Sequence, residues 1–137
     1  MADQHDLLHA EDLIAGGKLH KPTLEIAEVF PPGSVLNRSQ NKAFELWAVK
    51  FKGRNKTLVL CVTNQRVIQI VTGEAPGEKW IGKKITIAAR SIDSFGSRDI
   101  AIRVLPPVGT PIRQSILKHL GRDLEYAPQT ATKEATQ

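Results

Sequence analysis

Residues 57–73 read TLVLCVTNQRVIQIVTG, and this stretch decides which fold the chain can adopt. Its first part, Thr57–Val62, is apolar almost throughout, as expected of a central β-strand. Thr63 and Asn64 are good helix N-cap residues, the apolar residues that follow recur at helical spacing, and Gly73 can end the helix. A further strand is the competing interpretation, because Val and Ile favour strands. The cap and stop signals favour a strand followed at once by a short helix.

Two more strands are predicted on the N-terminal side of this stretch. Thr23–Phe30, TLEIAEVF, alternates apolar and polar residues and ends at two prolines and a glycine. Ala43–Lys52, AFELWAVKFK, is the second strand, and the basic turn Gly53–Lys56 connects it to Thr57–Val62 in a predicted hairpin. The polar residues 34–41 are expected to form a loop.

On the C-terminal side, Ile85–Ala89 and Asp99–Leu105 are predicted as the fourth and fifth strands, with a turn around Gly96 between them. The resulting order of elements is strand, strand, strand, helix, strand, strand. This is the element order of the OB-fold, a five-stranded, partly open Greek-key barrel. The sequence therefore predicts a mainly β protein: an OB-like five-stranded Greek-key barrel with one inter-strand helix and with short N- and C-terminal helices.

The two ends of the chain are predicted to lie outside this barrel. Asp6–Ala15 has the pattern of a short helix, and Pro111 suits the first turn of a last helix that Gly121 ends. The polar residues after that glycine lack periodicity and are predicted to be disordered. The predicted division is an N-terminal segment with a short helix at residues 1–22, the barrel at 23–105, a C-terminal helix at 106–121 and a disordered tail at 122–137.

Length and composition are those of an ordinary globular protein. The chain has 137 residues, which suits one domain with a real core, and 41% of them are hydrophobic. No apolar run approaches the roughly 20 residues that a membrane helix needs, and the N-terminus lacks the basic region of a secretory signal. The single cysteine, Cys61, lies in an apolar run and is expected to be a small core residue in a reducing compartment. These features predict a cytoplasmic protein, in the host cell if the protein is viral.

The basic charge is concentrated in the middle of the chain. The whole chain has a net charge of +5. Residues 42–103 hold twelve basic and five acidic residues, whereas residues 1–41 hold three basic and six acidic residues. Clustered cations attract polyanions. A solvated basic surface with no partner explains the same pattern, so charge alone does not identify a ligand.

Several short motifs resemble a known group of proteins. They are WIGKKITI at residues 80–87, Phe95-Gly96, AIRV at residues 101–104, and Leu58–Leu60 running into Thr63-Asn64. The pattern resembles a family of small bacteriophage and prophage proteins from replication and recombination regions. The resemblance implies an OB-like barrel that binds single-stranded DNA. The chain departs from bacterial single-stranded-DNA-binding proteins, which end in an acidic tail with a terminal aromatic, because it ends KEATQ. Recruitment of partners through such a tail is therefore not expected.

Side-chain alternation along the second strand provides a candidate binding surface. Trp47, Val49 and Phe51 share one face and are expected in the core. The opposite, solvent-facing side bears an aromatic among lysines: Lys42, Phe44, Lys50 and Lys52. A surface for single strands requires this combination, since bases stack on flat side chains and cations contact phosphates. The alternative places Phe44 in the core through a β-bulge.

Other candidate contacts are basic residues and aromatics near the later strands. Trp80 either stacks on a base or seals one end of the barrel, and Phe95, in a turn, is a further candidate for stacking. The basic residues suit contact with phosphates rather than base reading, so little sequence specificity is expected. The complete predicted nucleic-acid-binding set is Lys42, Phe44, Lys50, Lys52, Arg54, Lys56, Trp80, Lys83, Lys84, Arg90, Phe95, Arg98 and Arg103.

The sequence contains no evident catalytic or metal-binding constellation. It lacks a Gly-x-Ser-x-Gly motif, a phosphate-cradling glycine loop and a Cys-x-x-Cys motif. His5 and His9 are four residues apart, but no third ligand accompanies them. We therefore expect no catalysis, no cofactor and no metal.

The predicted function is binding of single-stranded DNA, or RNA, with little sequence specificity, in phage-type replication or recombination. Stacking and charge would provide the affinity. The alternative is a structural or adaptor protein, such as a virion or inhibitor component, that binds a protein partner or self-assembles. Its basis is the apolar stripes of the terminal helices, which could dock onto another subunit.

Overall fold

The computed structural model of the protein describes residues 3–14, 16, 18–94 and 97–124. Within these residues the protein is mainly β. The strands are β1 Thr23–Phe30, β2 Leu36–Asn37, β3 Lys42–Ala43, β4 Ala48–Phe51, β5 Thr57–Val59, β6 Lys84–Ser94, β7 Ser97–Leu105 and β8 Arg122–Asp123. The helices are α1 Val62–Thr72 and α2 Gln114–Leu117, with short 3-10 turns at Ala10–Leu13 and Glu78–Trp80. None of the helices in this part of the chain has the length and apolar character needed to cross a membrane.

One antiparallel sheet forms the centre of the protein. Its strands lie in the order β5-β4-β1-β6-β7, and β8 pairs with β6 beyond the end of β1. β2 and β3 form a separate small hairpin in the connection between β1 and β4. The predicted OB-like barrel is not confirmed, because β5 and β7 are the two ends of the sheet and form no ladder with each other in the described residues.

The predicted strand-to-helix transition at residues 57–73 is confirmed. β5 ends at Val59, α1 begins at Val62, and Gly73 ends it in the left-handed conformation with φ 75°. The predicted role of Asn64 as a cap is wrong, since Cys61 occupies the N-cap position. Asn64 is buried instead, and its amide bonds the edge of β7: it donates to the Ile102 carbonyl at 3.0 Å and accepts from the Val104 N–H at 2.8 Å.

Replacing Asn64 with alanine should lower the free energy of unfolding by about 2 kcal/mol, because two backbone groups of β7 would lose their partner in a buried place. Gln65→Ala is the matched control on the same helix, since that side chain bonds Gln69 in a partly buried position. Urea unfolding measures both variants. Equal losses for the two variants would contradict the role assigned to Asn64.

The N-terminal segment fills the space between the two sheet edges. The Leu8 N–H donates to the Thr57 carbonyl, and the Thr57 N–H donates to the Asp6 carbonyl, each at 2.8 Å. Residues 8–11 line one depression together with parts of β5 and β7. Leu13 and Ile14 are buried in the common core. The predicted helix Asp6–Ala15 is therefore wrong, because backbone groups at residues 6–8 pair with β5 and only a 3-10 turn forms.

The predicted second strand is interrupted. Lys42 and Ala43 pair with β2, and only Ala48–Phe51 pairs with β1 and β5. Phe44 lies between them and bonds to the loop before it, since its N–H donates to the Val35 carbonyl and its carbonyl accepts from the Gly33 N–H, each at 2.8 Å. The loop expected at residues 34–41 therefore contains β2.

The last two predicted strands are longer than expected. β6 and β7 form a hairpin whose register runs from Thr86 opposite Leu105 to Ser94 opposite Ser97. Ile87 and Val104 face each other in the core. The predicted turn around Gly96 lies outside the described residues.

The C-terminal arm, residues 106–124, packs against the sheet. Its predicted long helix is reduced to α2, and Ile116 and Leu120 are buried. Gly121 touches β6 so closely that a Cβ atom there would lie 2.3 Å from the Ser91 carbonyl oxygen. Arg122 and Asp123, expected in the tail, pair with β6 as β8, and the tail residues 125–137 lie outside the described part.

Candidate nucleic-acid interface

Three parts of the chain enclose an open cleft of about 690 Å³. They are the N-terminal segment, the β2–β3 hairpin and the start of β5. Phe44 is half-buried and lines the cleft, so part of its side chain is accessible. We call this the Phe44 cleft, and its lining residues are His5, Asp6, Leu7, His9, Leu36, Asn37, Arg38, Ser39, Phe44 and Lys56.

Exposed cations lie in and beside the cleft. Arg38 and Lys56 line it directly. Lys42 precedes Phe44 by two residues on β3, and Arg54 lies in the turn that leads to Lys56. All four of these side chains are exposed, so an anionic chain that enters the cleft can contact them.

His5 holds one wall of the cleft in place. Its Nδ1 lies 2.9 Å from the hydroxyl of Thr57, which is buried. Its ring also meets the ring of Phe30 edge-on, with centroids 4.8 Å apart and planes at 72°. These contacts tie the N-terminal segment to β1 and β5 and fix the shape of the wall.

The acidic N-terminal segment partly neutralises the cleft. Asp6 lines it, and Asp12 forms an ion pair with Lys56 at 2.7 Å. Burial raises the pKa of Asp12, but hydrogen bonds from Lys56 and from the His9 N–H outweigh this and hold the pKa below its ordinary value of 3.8. Asp12 is therefore ionised at neutral pH, and a phosphate would have to compete with it for Lys56.

A second group of predicted contacts lies on the outer face of the central strands. Lys50 is opposite Glu28, and Lys84 is opposite Glu25, in the pairing of β1 with its two neighbours. Each of these cations therefore has a carboxylate beside it. Lys52 and Lys83 are exposed and add positive charge beside Glu25 and Ile26 of β1, to whose backbone they bond. The surface around β1 therefore carries charges of both signs.

Two predicted contacts, Arg90 and Arg103, are engaged within the protein. Arg90 bonds Asp123 at 3.0 Å and the Gly121 carbonyl at 2.8 Å. The Arg103 Nε donates to the His119 carbonyl at 2.8 Å. Both arginines hold the C-terminal arm against the sheet, so the expectation that they face a ligand is corrected. A hydrogen bond from Lys21 is the main reason that the pKa of Asp123 lies below its usual value, and the positive charge of Arg90 lowers this pKa further.

The predicted stacking role of Trp80 is also corrected. Trp80 is completely buried, and its indole N–H donates to the Glu74 carbonyl at 3.0 Å. Its ring therefore belongs to the core and cannot meet a base. Phe95 and the side chain of Arg98 lie outside the described part of the chain.

The sequence did not single out His5 or Arg38 as parts of the site. Both lie in segments that looked polar and irregular, and only the folding of the N-terminal segment onto β5 brings them to Phe44. No motif could have revealed this proximity. No cluster of His, Cys, Asp and Glu side chains suited to a metal occurs within the described residues.

No protein-family model, curated protein or solved structure matches the chain.

Proposed function

We propose that the protein binds single-stranded DNA with little sequence specificity, and that the Phe44 cleft is its principal contact. The observation that carries this proposal is the accessible ring of Phe44 in an open cleft that Arg38 and Lys56 also line. A base has a flat face that stacks on such a ring, and the adjoining phosphates are attracted to the cations. RNA has the same two chemical features and is the related ligand.

The strand connectivity supports an OB-like barrel as the framework. In chain order, β1, β4, β5, β6 and β7 correspond to five strands with a helix between the third and the fourth. Asn64 links α1 to the β7 edge, and the N-terminal segment hydrogen-bonds to the β5 edge, so the two edges that barrel closure would join have other partners. OB-folds bind oligonucleotides across the second and third strands and the loop between the first two strands. One side of the Phe44 cleft, from Leu36 to Phe44, belongs to the corresponding loop, residues 31–47.

Phosphate contacts should provide most of the affinity. The cations around the cleft are long, exposed side chains that can contact phosphates, and Asn37 and Arg38 are the lining residues with the paired groups that can also read a base edge. Binding should therefore depend on charge and stacking more than on sequence. The resemblance to phage proteins of replication and recombination regions suits such an activity, since those processes expose single strands.

Titration of labelled oligo-dT at two salt concentrations tests the proposal. If three or four phosphates are neutralised, the logarithm of the association constant should fall with the logarithm of salt at a slope of about −2 to −3. Affinity should then drop by about 20- to 50-fold between about 50 mM and 200 mM salt. Absence of binding at low salt, or binding that salt does not weaken, would refute the proposal.

The alternative of self-assembly through terminal helices is less well supported by the described residues. Several of the apolar side chains that suggested it, among them Leu13, Ile14 and Ile116, are buried in the chain's own core, whereas Leu117 is exposed. Light scattering without DNA separates the two functions, because a large assembly independent of DNA would favour the alternative.

A further inference from the structure

The exposed large hydrophobic side chains are unevenly distributed over the protein. Among the described residues they are Val62, Ile70, Ile81, Ile100, Val108 and Leu117. Four of these six belong to α1 or to the C-terminal arm, and none belongs to the Phe44 cleft. Exposed apolar side chains that lie close together are typical of a surface that contacts another molecule.

A groove of about 500 Å³ runs between α1 and the C-terminal arm. Its apolar part consists of Ile70 from α1 together with Pro111 and Ile116 from the arm. Ile116 is buried beneath the groove, whereas Ile70 is exposed at its side. We call this the α1 groove, and its lining residues are Arg66, Gln69, Ile70, Pro111, Arg113, Ser115 and Ile116.

The α1 groove carries positive charge and no negative charge in its lining. Arg66 on α1 and Arg113 on the arm are both exposed, and no carboxylate lines the groove. Neither arginine forms an ion pair within the described residues. A guanidinium group binds a carboxylate through two parallel hydrogen bonds, which makes arginine a frequent contact residue at protein interfaces.

From this combination we infer that the α1 groove is a docking site for an acidic peptide segment of a partner protein, with an apolar side chain seated on Ile70, Pro111 and Ile116. Carboxylates on either side of that residue would contact Arg66 and Arg113. Gln69 and Ser115 can bond to the peptide backbone. The charge complementarity selects an acidic segment, and the apolar floor requires a hydrophobic residue within it.

Nucleic acid fits this groove less well than a peptide does. Stacking platforms for bases are aromatic, and no aromatic residue lines the α1 groove. The groove also shares no residue with the Phe44 cleft. Both sites can therefore be occupied at once, and the peptide site does not depend on the proposed binding of DNA.

An array of immobilised peptides of about 12 residues tests the inference. The peptides combine Asp or Glu with Leu, Ile or Phe, and matched peptides carry Asn or Gln in place of the acidic residues. The protein should prefer the acidic set, and fluorescence anisotropy of the best peptide should show at least a tenfold loss of affinity for the double variant Arg66→Glu, Arg113→Glu. The double variant Lys18→Glu, Lys79→Glu is the charge-matched control, because both lysines are exposed and outside both sites, and it should leave affinity unchanged.

Four results would overturn the inference. The first is equal binding of the acidic and the neutral peptides, and the second is unchanged peptide affinity in the double variant. The third is a loss of oligo-dT affinity in the double variant that matches its loss of peptide affinity, which would assign the groove to nucleic acid. A loss of self-association in the double variant, seen by light scattering, would assign the groove to a second copy of the chain and would equally overturn it.

Discussion

Replacement of Trp80 by alanine is expected to lower the free energy of unfolding by about 3–5 kcal/mol, the largest loss of any single substitution considered for this protein. Trp80 is the largest side chain that the core buries completely. Its ring lies 6.4 Å from that of Trp47, centroid to centroid, and its N–H bonds the Glu74 carbonyl. Removal of the indole would leave a cavity and an unpaired carbonyl, and both are costly in a packed interior.

Urea unfolding, followed by circular dichroism, measures this loss. Ile81→Ala is the matched control, because Ile81 is the next residue and is exposed, so its loss should be below about 1 kcal/mol. Trp80→Phe should fall between the two, since it keeps part of the ring volume and loses the hydrogen bond. If Trp80→Ala costs no more than Ile81→Ala, Trp80 is not the core residue that the structure describes.

The elements that local sequence determines were predictable. Thr23–Phe30 forms a strand with the predicted bounds, and α1 ends before Gly73 as predicted but begins two or three residues earlier than the caps at Thr63 or Asn64 implied. Both segments have a clear apolar period and strong stop residues, so their secondary structure can be assigned from the local sequence, although the partners of the strand cannot. The long β6–β7 hairpin was predicted as two strands, but alternation does not reveal how far a hairpin extends beyond the core.

Other features depend on contacts between residues far apart in the sequence. Asn64 looks like a helix cap, yet its amide forms hydrogen bonds with the β7 backbone 38 and 40 residues later in the sequence. Arg90 and Arg103 look like exposed cations, yet they bond the C-terminal arm. A side chain of this kind can satisfy its hydrogen-bonding groups in several ways, and only the assembled fold selects one.

Phe44 was predicted as a binding residue, but the continuous strand on which that prediction relied does not form. Alternation along one continuous strand placed Phe44 beside Lys50 and Lys52, but the chain leaves the sheet between Ala43 and Ala48. Phe44 lies instead in a cleft with two different cations, Arg38 and Lys56. The β2–β3 hairpin and the N-terminal segment form this cleft. An aromatic residue among basic ones was the useful signal, whereas the strand parity was not.

Substitution of Phe44 by leucine should weaken binding of oligo-dT by about 5- to 150-fold, because stacking of a base on an aromatic ring contributes about 1–3 kcal/mol. Leucine keeps an apolar side chain of similar size in this half-buried position but has no flat face. Phe44→Trp enlarges the flat face and should bind at least as tightly as the unmodified protein. This pair of variants separates stacking from simple packing, which a truncation to alanine would not do.

Fluorescence anisotropy at about 50 mM salt measures the three affinities, and thermal unfolding checks that each variant is folded. The slope of affinity against salt should be the same in all three proteins, because the substitution leaves every cation in place. A second substitution, Arg54→Ala, should instead reduce the slope by about 0.7 and weaken binding to all sequences alike. If Phe44→Leu and Phe44→Trp weaken binding equally, the ring only packs against its neighbours, and the base must stack elsewhere. If neither variant changes affinity while Arg54→Ala does, the protein holds the strand through its phosphates alone.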